Sequence, residues 1–180
     1  TNSQKVLDAR RTTLELILSN HNRSCLSCVR SGTCELQSLC RQYGVDNENA
    51  YEGEKTPTEV DTSTDYLIRD NSKCILCRRC VAVCRTTQGI GVIGAVNRGF
   101  RTEISTAYDM DLSKTSCVGC GQCVAVCPVG ALREKDQIQE VLAAINDPEK
   151  TVLVQTAPAV RAALGESFGY PIGTDVQGKM

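Results

Sequence analysis

Residues 73–84 read KCILCRRCVAVC, and residues 116–127 read SCVGCGQCVAVC. The two segments align without a gap, begin 43 residues apart and share the string CVAVC. A repeat of this kind indicates two copies of one supersecondary unit that share a core around a pseudo-twofold axis. This repeat decides the fold of the middle of the chain.

Each copy has the cysteine spacing C-x2-C-x2-C-x3-C, which is typical of bacterial ferredoxins. Two-residue gaps allow a tight loop to wrap three iron corners of one cluster, while the fourth cysteine enters a helix that leads away to the other cluster. The spacing predicts one [4Fe–4S] cluster on Cys74, Cys77, Cys80 and Cys127, and a second on Cys117, Cys120, Cys123 and Cys84. Structural zinc is the alternative, but zinc usually takes two cysteines and then two more ligands some distance away.

A third candidate site lies upstream, where residues 21–34 read HNRSCLSCVRSGTC. His21 is the only histidine of the 180-residue chain. Spacing alone leaves open a zinc site of three cysteines and one histidine, or a surface histidine unrelated to the cysteines. Because a tandem ferredoxin repeat follows, we expect a third [4Fe–4S] cluster here. Cys40 is left over and is expected to be a small buried thiol.

Composition limits the class of protein. The chain has 20 basic and 21 acidic residues, so no basic footprint indicates a nucleic-acid partner. Its apolar runs fall far short of the roughly 20 residues that span a membrane, and the first residues, TNSQKVLDARR, lack the apolar core of an export signal. We therefore expect a cytoplasmic chain. In that reducing compartment, crowded cysteines bind metal more often than they form disulfides.

The remaining sequence predicts several secondary-structure elements. Apolar residues recur at helical spacing over residues 4–19, and a second short helix is expected over residues 36–43, closed by Gly44. Residues 46–61 are acidic and poor in apolar side chains, which predicts a solvated linker. The string NRG at residues 97–99, between apolar runs, predicts the turn of a β-hairpin.

Gly89, Gly91 and Gly94 match the G-x-G-x-x-G pattern of dinucleotide-binding loops. That motif requires a preceding strand and a following helix. Here the glycines follow a cluster cysteine and lead into strand-like sequence, so we expect them to form tight turns beside the cluster.

The domain organisation follows from these segments. We expect an α+β chain in which residues 1–60 form a small helical [4Fe–4S] module with one histidine and three cysteine ligands, closed by the acidic linker. Residues 61–135 are expected to form a bacterial ferredoxin-like domain with two [4Fe–4S] clusters. In residues 136–180, a helix in QIQEVLAAIN, the apolar run TVLVQTA and a helix in AVRAALGESFG suggest the start of an α/β domain.

The order of these motifs resembles a known family. The spacing His-x3-Cys-x2-Cys-x5-Cys, the string CELQSLC with a nearby YGV, and two ferredoxin repeats separated by IGAVNRG resemble the accessory-cluster region of [FeFe]-hydrogenases. The similarity is greatest to the large, catalytic subunit of NAD(P)-linked, electron-bifurcating enzymes. The segment TVLVQTAPAVRAALGESFG resembles the entry into their catalytic H-cluster domain.

The resemblance implies cofactors, partners and a role. It implies a histidine-ligated [4Fe–4S] cluster on His21, Cys25, Cys28 and Cys34, the two repeat clusters assigned above, and no ligand role for Cys40. It implies electron transfer through three [4Fe–4S] clusters, with a flavin/NAD(P)-binding subunit, a small iron–sulfur subunit and ferredoxin as partners. The cysteine motifs of the H-cluster are missing, so we expect no catalytic centre in this chain.

Two other functions compete with this interpretation. Some NAD-linked molybdenum formate dehydrogenases resemble the same arrangement, and this chain would then be their electron-input region. A zinc-stabilised interaction module is the non-redox alternative.

Overall fold

The computed structural model describes residues 2–45, 50–176 and 178. The chain divides into two compact units, Thr1–Asp136 and Gln137–Met180. The described residues form helices α1 (Gln4–Asn20), α2 (Glu35–Tyr43), α3 (Arg79–Ala82), α4 (Gln122–Ala125), α5 (Ile138–Asn146) and α6 (Pro158–Ser167). The strands are β1 (Val60–Asp61), β2 (Leu67–Asp70), β3 (Gly94–Val96), β4 (Glu103–Ser105) and β5 (Leu132–Glu134).

Helices α1 and α2 pack against each other and confirm the two helices expected near the start of the chain. Arg10 Nη1 donates to the hydroxyl of Tyr43 at 3.0 Å, and Arg11 Nε donates to the Tyr43 carbonyl at 3.0 Å. Helix α2 ends at Gly44, whose φ of +60° lies in the left-handed region that glycine adopts without steric cost. The helix pair therefore has a fixed end next to the first cysteine loop.

An antiparallel sheet of order β1-β2-β5 joins the two ends of the repeat. Strand β2 precedes the first copy and β5 follows the second, and they pair with Ile68 opposite Arg133 and Arg69 opposite Leu132. Strands β3 and β4 form a separate hairpin, and Asn97 in its turn has φ +58°. The hairpin expected from the NRG string is confirmed.

The first module and the ferredoxin-like part share one core. Leu14 and Leu36 belong to the same buried cluster as Leu67 and Val129. The backbone N–H of Glu35 donates to the Pro128 carbonyl at 3.0 Å. The boundary expected between residues 60 and 61 falls inside β1, and both parts lie in the unit that ends at Asp136.

Two regions differ from the sequence-based expectation. In the acidic linker, residues 46–49 lie outside the described residues, residues 50–59 are mostly exposed, and Val60 and Asp61 pair with β2. After residue 136 the described residues form α5 and α6 and no strand, so the α/β start expected there stays a prediction. A strand needs a neighbour for its backbone hydrogen bonds, and the run TVLVQTA has none, so Leu153 and Val154 lie exposed.

None of the described helices combines the length and the apolar character needed to cross a lipid bilayer.

Candidate iron–sulfur sites

The first site is a cavity of about 470 Å³ between the end of α1 and helix α2. The chain leaves α1 at His21, whose backbone is extended. Cys25 then begins a single 3₁₀ turn, and Cys34 is the N-cap residue of α2. The lining includes all four residues that the sequence groups here, His21, Cys25, Cys28 and Cys34.

The imidazole of His21 has the properties of a free metal ligand. Only 8% of the residue is exposed, and its Nδ1 atom has no hydrogen-bond partner in the part of the chain that the structure describes. A buried polar atom without a partner costs about 1–3 kcal/mol, which a bound metal would offset. Burial lowers the pKa of His21, and the charge of Lys73 also lowers it. The ring is therefore neutral near pH 7, which is the form that binds metal.

Gly130, from the segment after the second copy of the repeat, also lines this first cavity. A Cβ atom at Gly130 would lie 2.5 Å from Cys28 Sγ, closer than real Cβ contacts. The missing side chain therefore leaves the room that the Cys28 sulfur occupies. The cysteine spacing alone does not predict that Gly130 lines this cavity.

The second and third sites are smaller and more enclosed cavities, lined by the eight cysteines of the repeat. One is lined by Cys74, Cys77, Cys80 and Cys127. The other is lined by Cys84, Cys117, Cys120 and Cys123. The structure thus brings together, in each cavity, three cysteines of one copy and the last cysteine of the other.

The electrostatics of these thiols follow the same grouping. Burial and the other cysteines of its cavity raise the pKa of Cys80 to about 12. Burial and the three cysteines around it raise the pKa of Cys123 to about 11. Thiols bind metal as thiolates, so these positions need added positive charge to lose their protons. Iron bound in each cavity would supply that charge.

The four candidate residues of each site line a cavity instead of converging on a point. Within residues 2–45, 50–176 and 178, no three histidine, cysteine or acidic side chains are close enough to hold a single metal ion. Tetrahedral zinc requires sulfurs at about 2.3 Å from one centre. Ligands spread around a cavity suit a cluster of several atoms better than a single ion.

Both copies of the repeat use left-handed backbone inside the cysteine loop. Gly119 and Gly121 have φ of +64° and +71° in the second copy. The equivalent residues of the first copy, Leu76 and Arg78, have φ of +55° and +60°. Left-handed backbone costs a residue with a side chain about 1–2 kcal/mol. Its use here brings the Leu76 N–H to 3.4 Å from Cys74 Sγ, where it donates to the sulfur.

Tyr66 is a second residue near a sulfur that spacing did not reveal. Interaction with Cys117, together with burial, raises the pKa of Tyr66 to about 12. Its ring packs against Gly119, where a Cβ would lie 3.3 Å from a ring carbon. The hydroxyl therefore stays protonated near neutral pH.

Cys40 departs from its expected role as a buried thiol. It lies on the lining of the first cavity and is half-buried, where it packs against the edge of the hydrophobic core. Burial raises the pKa of Cys40, and so do Cys34 and Cys25.

The glycines of the G-x-G-x-x-G match lie in turns beside a site cysteine. Gly89 and Gly91 have φ of +69° and +66°. The N–H groups of Ile90 and Gly91 both donate to the Cys84 carbonyl, at 3.0 and 3.2 Å. Gly94 begins β3 instead of a helix. The pattern is therefore a turn next to Cys84, as expected, and lacks the helix of a nucleotide-binding loop.

Comparison with known proteins assigns both parts. Residues 10–49 match the family of the NADH-ubiquinone oxidoreductase-G iron-sulfur binding region, and residues 73–131 match the 4Fe-4S dicluster domain. The whole chain is 54% identical over 181 residues to the NADP-reducing hydrogenase subunit HndD of Solidesulfovibrio fructosivorans. The chain is therefore homologous to part of the NADP-reducing hydrogenase subunit HndD.

Two further relatives agree with this assignment. The chain is 34% identical over 180 residues to Iron hydrogenase 1 of Clostridium pasteurianum. Its fold matches a crystal structure of an NAD+-reducing [NiFe]-hydrogenase in the H2-reduced state with a TM-score of 0.69 and 28% identity, over 74% of this chain and 57% of the other. The chain spans 31% of the length of both sequence relatives.

The comparisons also bear on the competing interpretations. The matched 4Fe-4S families support iron–sulfur clusters over zinc. Because the two relatives named above match the full chain and are hydrogenases, the formate dehydrogenase alternative is the less supported of the two redox functions.

Proposed function

We propose that this chain relays single electrons through three [4Fe–4S] clusters within an NAD(P)-linked hydrogenase complex. A bound [4Fe–4S] cluster accepts or releases one electron at a time. One observation carries the proposal: each of three cavities is lined by one complete set of four ligand residues. A chain with a single redox group would need only one such set.

The proposed ligands are those that line each cavity. The first cluster is held by His21, Cys25, Cys28 and Cys34. The second is held by Cys74, Cys77, Cys80 and Cys127, and the third by Cys84, Cys117, Cys120 and Cys123. The neutral imidazole makes the first cluster one charge less negative than a cluster with four thiolates, which favours its reduced form.

Contacts between the cavities support a linear order. Cys127 lines the second cavity, and Gly130, three residues later, lines the first and touches Cys28. Arg69 and Leu132 each line both the second and the third cavity. The second cluster would therefore lie between the other two, and electrons would pass from one end to the other through it.

The proposed partners lie outside this chain. A flavin/NAD(P)-binding subunit, a small iron–sulfur subunit and ferredoxin would exchange electrons with the relay, and hydrogen chemistry would take place at a centre elsewhere in the complex. We assign no catalytic residue to this chain. Its side chains bind the clusters, bury them and set their charge environment.

A reductive titration tests the proposal. The anaerobically purified chain should take up three electrons, with the reduced clusters followed by electron paramagnetic resonance (EPR). Uptake of two electrons or fewer by a preparation with a full complement of iron would refute the three-cluster relay.

A further inference from the structure

Arg69 lies between the two cavities of the ferredoxin-like part. It is on β2, directly across from Leu132 on β5, and both residues line both cavities. Only 10% of its side chain is exposed. A buried arginine is rare unless it is paired, and it remains charged at any physiological pH. The sheet therefore places a permanent positive charge where two redox groups would meet.

The guanidinium of Arg69 is held in place from two sides. Nη1 donates to the Ile104 carbonyl at 2.5 Å, and Nη2 donates to Asp61 Oδ2 at 3.2 Å. Its Nε has no hydrogen-bond partner among the described residues. The charge cannot move away from the cavities without losing both bonds, so its effect on them is fixed.

Asp61 is equally fixed and stays ionised. Its carboxylate accepts hydrogen bonds from the N–H groups of Ser63 and Leu112, at 3.0 and 3.2 Å. Although burial raises the pKa of Asp61, these bonds and the one from Arg69 lower it to about 2. The carboxylate therefore offsets part of the positive charge of Arg69 at neutral pH.

Arg69 shares each of its two cavities with candidate ligand residues. Arg69 lines one cavity together with Cys74 and the other together with Cys84. A positive charge beside a cluster stabilises the additional electron of its reduced form, because opposite charges attract. Low dielectric around a buried site makes this interaction stronger than at the surface.

From this geometry we propose that Arg69 is an electrostatic tuning residue that raises the reduction potentials of the two clusters on either side of it, and that Asp61 limits the rise. The inference rests on the proposed function, since it needs clusters in both cavities. It adds that the sheet, and not the cysteine loops, sets part of their potentials.

Potentiometric titration followed by EPR tests the inference on the cluster-loaded chain. Arg69→Met should lower the midpoint potential of at least one of the two clusters. The expected change in the equilibrium constant for reduction is about tenfold or more, which corresponds to 59 mV for a one-electron couple. Arg69→Lys keeps the charge and should restore most of the wild-type potential. Asp61→Asn should change the potential in the opposite direction, upward, because it removes the opposing charge.

A matched control is available on the same sheet. Arg133 is paired with Ile68, one register step from the Arg69–Leu132 pair and on the other face. Arg133→Met removes the same charge from the same sheet. It should leave the equilibrium constants for reduction of all three clusters within twofold of wild type. If Arg69→Met does not fold, Asp61→Asn decides the question alone, because Arg69 then keeps its hydrogen bond to the Ile104 carbonyl.

The outcomes separate this inference from the proposed function. Wild-type chain with far fewer than about twelve irons contradicts the proposed function itself, before any variant is compared. Full iron content in wild type and variants, with potentials unchanged by both Arg69→Met and Asp61→Asn, overturns the role of Arg69 and leaves the relay intact. An equal shift in Arg133→Met would also overturn it.

Discussion

Gly130→Ala tests the contact that joins the first cluster site to the ferredoxin-like part. The added Cβ would lie 2.5 Å from Cys28 Sγ, whereas ordinary van der Waals contact begins at 3.4 Å. The sulfur must therefore move by about 0.9 Å. Gly130 does not have a left-handed φ, so alanine introduces no backbone strain and the effect is purely that of the methyl group.

The displacement is large on the scale of metal coordination. Metal–ligand distances are held within about 0.2 Å, so a sulfur moved by 0.9 Å no longer fits its site. In the cluster-free chain the Cys28 side chain can rotate away, so the cost in folding stability should be near the lower end of the ~1–3 kcal/mol typical of overpacking. The main effect should be loss of one cluster, about four irons per chain.

Iron analysis and EPR of anaerobically purified protein measure this loss. Gly130→Ala should lose the signal of the first cluster and keep those of the other two. Gly94→Ala is the matched control, since Gly94 lacks a left-handed φ and a Cβ there would meet nothing within 4 Å. Full iron content and an unchanged first-cluster signal in Gly130→Ala would refute the placement of Cys28 as a ligand.

Three further predictions follow from the sites. His21→Cys should lower one of three EPR-monitored midpoint potentials, by roughly 100 mV, because a thiolate adds negative charge that the neutral imidazole does not; three unchanged values would exclude the imidazole as a ligand. Cys84→Ser should impair the cluster signal of the second copy of the repeat, and Cys127→Ser that of the first; the reverse pattern would contradict the crossed arrangement. The pKa of Asp61 is about 2 in the folded chain, against an ordinary value of 3.8. Its ionised form therefore stabilises the fold by about 2 kcal/mol above pH 3.8. This contribution is lost as the pH falls towards 2. Acid unfolding of Asp61→Asn should lack that component, and an identical acid profile would show that the carboxylate does not stabilise the fold.

The local parts of the sites could be predicted from the sequence because short loops have few ways to arrange their cysteines. The two-residue gaps and the repeated string CVAVC indicated which residues meet, including the crossing of Cys84 and Cys127. The left-handed positions could also have been inferred, since Gly119 and Gly121 align with Leu76 and Arg78. These features depend only on chain geometry over a few residues.

Other features depend on how distant segments pack, and no short pattern encodes that. The approach of Gly130 to Cys28 joins residues about a hundred positions apart, and the place of Arg69 depends on the pairing of β2 with β5. The run TVLVQTA is the opposite case, in which a short pattern predicts a strand that the described residues do not form. Its apolar residues satisfy the pattern of a strand, but a strand forms only where a neighbour supplies hydrogen bonds, and residues 151–157 have no strand partner among the described residues.

The number of irons and acid-labile sulfides per chain tests the three-cluster relay most directly. Anaerobically purified chain should contain about twelve of each, four for every [4Fe–4S] cluster. About eight of each would limit the clusters to the ferredoxin-like part and leave His21 without a metal. Zinc in place of iron and sulfide would contradict the relay altogether.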